Sequence, residues 1–411
     1  MKKKTLAPAL ILTLLACIIL AVGFQPVNSQ TQGTVYILPD GSVAPADAPI
    51  LRKGDTYKLT GNILFSNAQL EYGLVIQRDN IVVDGVGFII QKPLSQNWGI
   101  GINMTGRSNV TITNLSISQF GRGLKAANCS NIKIENTHIT HVSFGMVFFN
   151  SSNIEIIDNT ITSPEPIDTA YGTEGIVILG DHSWYGGKSS NFTISRNIIT
   201  HEEKGIMAYD ADYNVISWNN ISGCETGMGI GSYCQVFANN LFDMVKNEGS
   251  KAGVVAHHGT AISVWNENLV YANNFTGNGV GIRLNGASGN VFYGNNFVDN
   301  QLHDVDLNSD VSPANTWDNG TYGNYWSNYK SAYPDATEVD DTGTGNLAYA
   351  LFSNNTDRHP LLNPISAEQA LAITLLSKPE SPHPTTLVIA ATATAIIITT
   401  ALLIYLKKRK C

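Results

Sequence analysis

Through the middle of the chain, apolar residues alternate with polar ones in runs of four or five, and the runs recur. "SNVTITNLSIS" (108–118), "SNIKIENTHIT" (130–140), "SNIEIIDNTIT" (152–162) and "SNFTISRNIIT" (190–200) are near copies of one another. Each is preceded by a glycine, once an alanine, and an alternating apolar pair. These read "GLVI" at 73, "GIGI" at 99, "GLKA" at 123, "GMVF" at 145, "GIVI" at 175, "GIMA" at 205, "GMGI" at 227, "AISV" at 261 and "GIRL" at 281, with a degenerate "DVDL" at 304. A period of two is the strand period, not the helical one. Strands this short cannot bury a face alone, but stacked coil on coil they share a continuous core. The pattern predicts an all-β chain: a single-stranded, right-handed parallel β-helix of about ten coils of about 22 residues, a rod roughly 50 Å long. Asn114, Asn136, Asn219 and Asn295 are expected at one corner of their coils, where amides hydrogen-bond up and down the rod and left-handed backbone is tolerated.

The two ends depart from this pattern. Residues 1–30 start basic, run apolar and end small and polar, as a secretory signal segment does. Residues 386–406 are 21 residues without a charge, long enough to cross a bilayer as one helix, and the basic tail 407–411 belongs on its cytoplasmic side. Residues 31–72 are expected to form an N-terminal cap and first coil, 73–314 the repeats, and 315–362 an aromatic C-terminal cap with an acidic loop. Residues 363–385 should form a short helix, opened by a Ser366–Gln369 capping box, and a Pro-rich stalk. The expected location is the cell membrane, single-pass, with the rod outside the cell.

Charge narrows the partners. Setting aside the seven positive residues of the two ends takes the net charge from −8 to −15 for residues 5–406. An acidic rod argues against nucleic acid and fits cations or neutral polymers. Of five cysteines, Cys17 lies in the signal segment and Cys411 in the tail; Cys129, Cys224 and Cys234 read as buried free thiols. Ten N-x-[ST] sequons occur, several at coil corners where a glycan has no room.

Outward positions carry the candidate chemistry. If both apolar residues of "GIxI" point inward, Phe149, Tyr209 and Trp265 line one outer face, with Arg283 in the neighbouring column and Trp184 in a loop beside it. Aromatic rings on a flat sheet suit sugar rings. Insertions at 163–174, 180–190 and 243–260 would border that face and turn it into a cleft. Candidates for catalysis are Asp181, His182, Asp210, Asp212, His257 and His258: paired carboxylates suit glycoside hydrolysis, and a carboxylate–calcium site with a basic residue suits a uronate lyase. Asp335, Glu338, Asp340 and Asp341 are the candidate metal ligands; calcium is the ion they would take, although their spacing is not that of an EF-hand loop. No cofactor is required. The histidines are scattered and Met228 points inward, so the residues alone do not compose a copper site.

"GLVIQRDNIVVDGVGFII", the "SNxxI…N" corners, "GNVFYGNNFVDN", "NTWDNGTYGNYWSNY" and "DRHPLL" together resemble the NosD-like, CASH-type β-helix proteins of archaeal and bacterial surfaces, over about residues 34–362. The resemblance implies a pectin-lyase-like fold and carbohydrate binding or sugar hydrolysis, with copper maturation for the periplasmic namesake. Where related surface proteins carry a "DGIGD"-like loop, this chain reads "DATEVDDTGTGNLAYAL". Three functional classes follow: a surface protein binding polysaccharide or glycoprotein glycans along the outer face; a hydrolase, lyase or epimerase working in the same cleft; and an envelope rod with no small ligand.

Overall fold

The structure, a computed structural model, describes residues 29–31, 33–93, 98–163, 172–180, 188–244, 259–307, 314–352 and 355–376. Their strands form three long sheets, two of twelve strands and one of eleven. Each coil contributes one strand to each sheet. Sheet I holds the "GIxI" strands, among them Arg122–Ala127, Phe144–Phe149, Glu174–Leu179 and Lys204–Tyr209. Sheet II holds the "SNxxI" strands such as Ser130–Glu135, and sheet III short strands such as His138–Thr140. Pairing from coil to coil is parallel and in register: Val110 faces Ile132, Ile132 faces Ile154, and Ile154 faces Phe192. The fold is a parallel β-helix.

The recurrent glycine has a packing reason. A Cβ at Gly145 would lie 2.4 Å from the carbonyl oxygen of Gly175, and one at Gly205 2.4 Å from that of Gly227. No side chain fits where one coil presses on the next. The apolar residues one and three positions on, such as Ile176 and Ile178, are fully buried, each contributing roughly 1.5–3 kcal/mol.

Asparagine does build a ladder inside the rod, but the four expected residues divide between two columns. Asn159, Asn197, Asn219, Asn239, Asn273, Asn295 and Asn324 form the inner one, each amide donating to the next carbonyl at 2.9–3.0 Å. Asn219 and Asn295 belong to it. Asn114 and Asn136 stand one position earlier on the outside, with φ of 52° and 48°. That outer column is left-handed throughout and continues through Asp158, Arg196, Trp218, Ala238 and Ala272. The sequence shows asparagine in both columns, and only the register separates the inward amide from the turning backbone.

At the N-terminal end, Val43–Ala44 and Ile50–Lys53 fold back antiparallel on Val35–Ile37 and Thr56–Leu59. At the other end Trp317 stacks on Phe292 at 4.4 Å and Trp326 on Phe297 at 4.3 Å. Their indole N–H groups donate to Asn355 and Asp357, both at 2.9 Å, and Arg358 grips Asp318 through two hydrogen bonds. Burial alone would raise the Asp318 carboxyl, but Arg358 and two backbone N–H groups hold it below the usual range. The helix Ala367–Leu376 opens with reciprocal hydrogen bonds between Ser366 and Gln369 and packs Ala370 against Tyr271 and Tyr293. Among the described residues no helix is long and apolar enough to cross a membrane; residues 1–28, where a signal segment is expected, and the apolar stretch 386–406 lie outside them.

Candidate functional site

Sheet I places the expected outward residues in two columns. Lys125, Val147, Val177, Met207, Gly229, Ser263 and Arg283 pair in one, while Phe149, Leu179 and Tyr209 follow in the next. They do not form one open aromatic strip. Trp265 is 51% exposed, whereas Phe149 and Tyr209 are half-buried. Val147 and Val177, outward by register, are only 3% and 4% exposed. Gly229 leaves a gap that Met207 fills: a Cβ there would lie 2.5 Å from its terminal methyl.

Tyr209 is tied down. Its Cα pairs with that of Leu179, yet its hydroxyl lies 3.5 Å from the Glu174 carboxylate at the far end of the same neighbouring strand. The ring therefore runs along the sheet past Val177 rather than standing off it. Lys204 closes the cluster, its ammonium 2.9 Å from Glu174. Burial works against the Lys204 charge, but Glu174 outweighs it and the pKa is raised; burial and Glu174 also raise that of Tyr209. Neither group is poised as a base near neutral pH.

The other candidates are dispersed. Asp210 is exposed in left-handed backbone with φ of 50°. Asp212 accepts the backbone N–H of Ser232 at 2.8 Å, stitching one coil corner to the next. Arg283 pairs with Asp306 at 3.2 Å. Asp181, His182, Trp184, His257 and His258, with most of the three insertions, lie outside the described residues. In the acidic loop Asp340 and Asp341 have φ of 43° and 54° and form the centre of a tight turn closed by Thr342 N–H to Val339 O, while Glu338 accepts from Gly343. Those acidic residues fit a type I′ turn, and Asp335 is exposed before it.

Several features escaped sequence reasoning. Trp98, 56% exposed, leads into the sheet I strand Ile100–Thr105. Arg122 lies over Phe144 at 5.4 Å and Lys125 over Phe149 at 5.5 Å. Tyr213 and Tyr233 stack at 5.2 Å on the corner between sheets I and II. Glu202, 1% exposed, has one oxygen without a hydrogen bond among the described residues, and burial pushes its carboxyl up to about 8. Only the pattern "W-G-I-G-I" and the cations flanking "GL" at 122–125 carried a readable signal for the sheet I group.

A family profile described as "Periplasmic copper-binding protein (NosD)" matches residues 80–254 and 250–331, more than half of the chain. The chain belongs to the NosD family. Among solved structures it is similar to the periplasmic alginate epimerase AlgG, at 12% identity over 64% of this chain and 78% of that one, with a TM-score of 0.43. It is also similar to the catalytic domain of a GH87 α-1,3-glucanase in complex with nigerose, at 12% identity, 67% and 59% coverage and a TM-score of 0.42. A mutant tailspike protein of E. coli bacteriophage HK620, in complex with a hexasaccharide, matches at 12% identity, 65% and 50% coverage and a TM-score of 0.29. The chain thus spans about three-fifths of the glucanase domain and half of the tailspike. No curated protein matches it closely enough to count as a relative. The β-helix assignment rests on the strand register above, not on these likenesses.

The description of the NosD family implies copper. Among the described residues, no three His, Cys, Asp or Glu side chains gather closely enough to hold a metal ion. Cys129, Cys224 and Cys234 are free and buried, and burial pushes the last two thiols up to about 12, far from the thiolate that copper needs. Met228 and Met244 belong to the core. The described residues therefore do not fit a copper site, and the same test finds no calcium cage in the acidic loop.

Proposed function

We propose that this NosD-family chain is a cell-surface protein, anchored by the apolar segment 386–406, whose β-helix binds polysaccharide or glycoprotein glycans along the outer face of sheet I. The observation that carries the reading is the pairing of exposed indoles with polar neighbours on that sheet. Trp265 stands 51% exposed just past a strand whose Ser263 accepts a hydrogen bond from Asn285 at 2.6 Å. Trp98 stands at the opposite end. An indole offers a flat apolar surface to the C–H face of a sugar while amides and hydroxyls beside it take the sugar's polar edge. A polysaccharide-active enzyme in the same place is the second reading, and the Glu174–Lys204–Tyr209 cluster is the observation in its favour. The raised pKa values of Lys204 and Tyr209 weigh against it.

The full-length protein in detergent is screened on a glycan array beside Trp265→Ala and Tyr209→Phe variants, with reducing-end and unsaturated-uronate assays on every glycan bound. Binding that falls at least tenfold in Trp265→Ala without product formation is expected. Turnover lost in Tyr209→Phe would move the assignment to an enzyme. A folded protein that retains no glycan would leave the envelope rod.

A further inference from the structure

Four cations of the middle and later coils are matched to carboxylates. Lys133 pairs with Glu135, Arg196 with Asp158, Lys204 with Glu174 and Arg283 with Asp306, all within 3.2 Å. Arg122 and Lys125, on one strand in the middle of sheet I, are not matched in this way. Among the described residues no carboxylate lies within ion-pair distance of either, and each instead extends over a phenyl ring, Phe144 or Phe149. They belong to one strand, Arg122–Ala127, three residues and so about 10 Å apart. Asn103 faces Lys125 from the preceding coil, and Thr105 faces Ala127. The backbone carbonyl of exposed Trp98 accepts from Gly121, one coil up.

In a chain of net charge −8, two adjacent cations without acidic partners are a local reversal of the surrounding field. A ring beneath each cation holds it in place without neutralising its charge or occupying its outward hydrogen-bond donors. An anion arriving from solvent therefore meets donors already ordered, and Arg122 offers a planar pair that matches a carboxylate or sulfate.

We propose that Arg122 and Lys125 form an anion-binding subsite of the sheet I face, selecting glycans that carry carboxylate or sulfate groups, with the amide of Asn103 and the Trp98 indole beside them for the sugar's polar and apolar faces. This rests on the reading of sheet I as a glycan face and adds the charge class of its ligand. The acidic rod around the pair limits binding to polymers that run over it and repels long polyanions elsewhere.

The test is binding of the full-length protein in detergent to a polyuronate, a sulfated polysaccharide, a neutral β-glucan and a single-stranded oligonucleotide, each at 50 and 200 mM salt. Wild type is compared with an Arg122→Gln, Lys125→Gln double variant and with Arg122→Lys, Lys125→Arg, which keeps both charges. The expected result is at least a tenfold loss of polyuronate or sulfated-glycan affinity in the double Gln variant, retention in the charge-conserving one, and weakening with salt in wild type. Which of the two anionic glycans binds more tightly identifies the group. Equal binding by the double Gln variant, or an oligonucleotide held as tightly as the glycan, would overturn the subsite. Binding of the neutral glucan alone would overturn it while leaving the glycan face standing. Binding of none would remove both. Should the double Gln variant fail to fold, the salt dependence of wild type and the charge-conserving variant still decides between a charged and a neutral ligand.

Discussion

At the turn from sheet II into sheet III, seven coils in succession present an inward asparagine, from Asn159 to Asn324, and the column ends on the Asp357 carboxylate. At the turn from sheet III into sheet I, the second residue after the strand reads Phe120, Val142, Glu202, Cys224, Met244 and Asn278, all buried. The first corner repeats one chemistry and satisfies each group with the coil above and below. The second admits the insertions that follow Ser163 and Met244, so coils meet there at unequal lengths and no single residue can repeat. The cost appears at Glu202. One oxygen accepts from Ser163 at 3.0 Å, and the other has no partner among the described residues. Polar groups can be buried along a solenoid when translation supplies their partners; where the repeat is interrupted, each coil must find its own.

The largest effect should come from breaking the repeating corner. Asn219 accepts from the backbone N–H and the amide of Asn197 and donates to Ile194 and Asn239, all at 2.9–3.0 Å. Asn219→Ala breaks four buried hydrogen bonds, at about 1–3 kcal/mol for each group left unmatched before relaxation; the Asn239 carbonyl keeps the backbone N–H of residue 219. We expect a loss of about 5 kcal/mol, read as a drop in the denaturant midpoint. Asn114→Ala on the outer column forfeits one exposed bond to Asp84 and takes on left-handed strain of about 1–2 kcal/mol. Equal losses in the two variants would contradict the division into inner and outer columns.

Glu202 gives the next effect, with opposite sign. Burial pushes its carboxyl from 4.5 to about 8, although the nearby Thr173 and Ser163 hydroxyls work to lower it. The folded state therefore holds a proton that the unfolded chain releases near pH 4.5, and stability is fullest below that pH and declines as pH rises to about 8. Glu203, Glu225 and Glu174 add negative charge at this corner and Lys204 positive; Cys224, whose thiol burial pushes up to about 12, stays neutral. Glu202→Gln should remove the decline, stabilising the protein at pH 8.5 by about 2–4 kcal/mol while changing little at pH 5. Parallel pH profiles for wild type and variant would show that the carboxyl is ionised in the folded protein.

This contrast also explains what could be read from the sequence. The strand period, the glycine at each coil-to-coil contact and the aromatic cap were legible because each depends on local pattern. The inner ladder was legible only as a kind of chemistry. Pairs such as Asn219–Asn220 and Asn295–Asn296 put asparagine at adjacent positions, and a shift of one residue exchanges inside for outside. The site was less legible still. Whether Lys125 meets a carboxylate or a ring depends on the coil 22 residues away, and Tyr209 lies flat because Glu174 stands 35 residues before it.

The smallest effect tests whether the outer column is set by backbone alone. Its left-handed positions are filled by Asn114, Asn136, Asp158, Arg196, Trp218, Ala238 and Ala272, then by Gly294 with φ of 61°. Side chains as different as tryptophan and alanine hold the same conformation, so register imposes it, with each backbone N–H bonded to the next coil: Ala238 to Tyr271, Ala272 to Tyr293. Alanine gains nothing there that glycine would lose, apart from about 0.5–1 kcal/mol of unfolded-chain entropy. Left-handed alanine costs about 1–2 kcal/mol. Ala238→Gly should therefore raise stability by about 0.5 kcal/mol, a small upward shift in denaturant midpoint with an unchanged slope. A loss instead would mean that the Ala238 methyl, which is buried, contributes packing to the corner worth more than the strain it imposes.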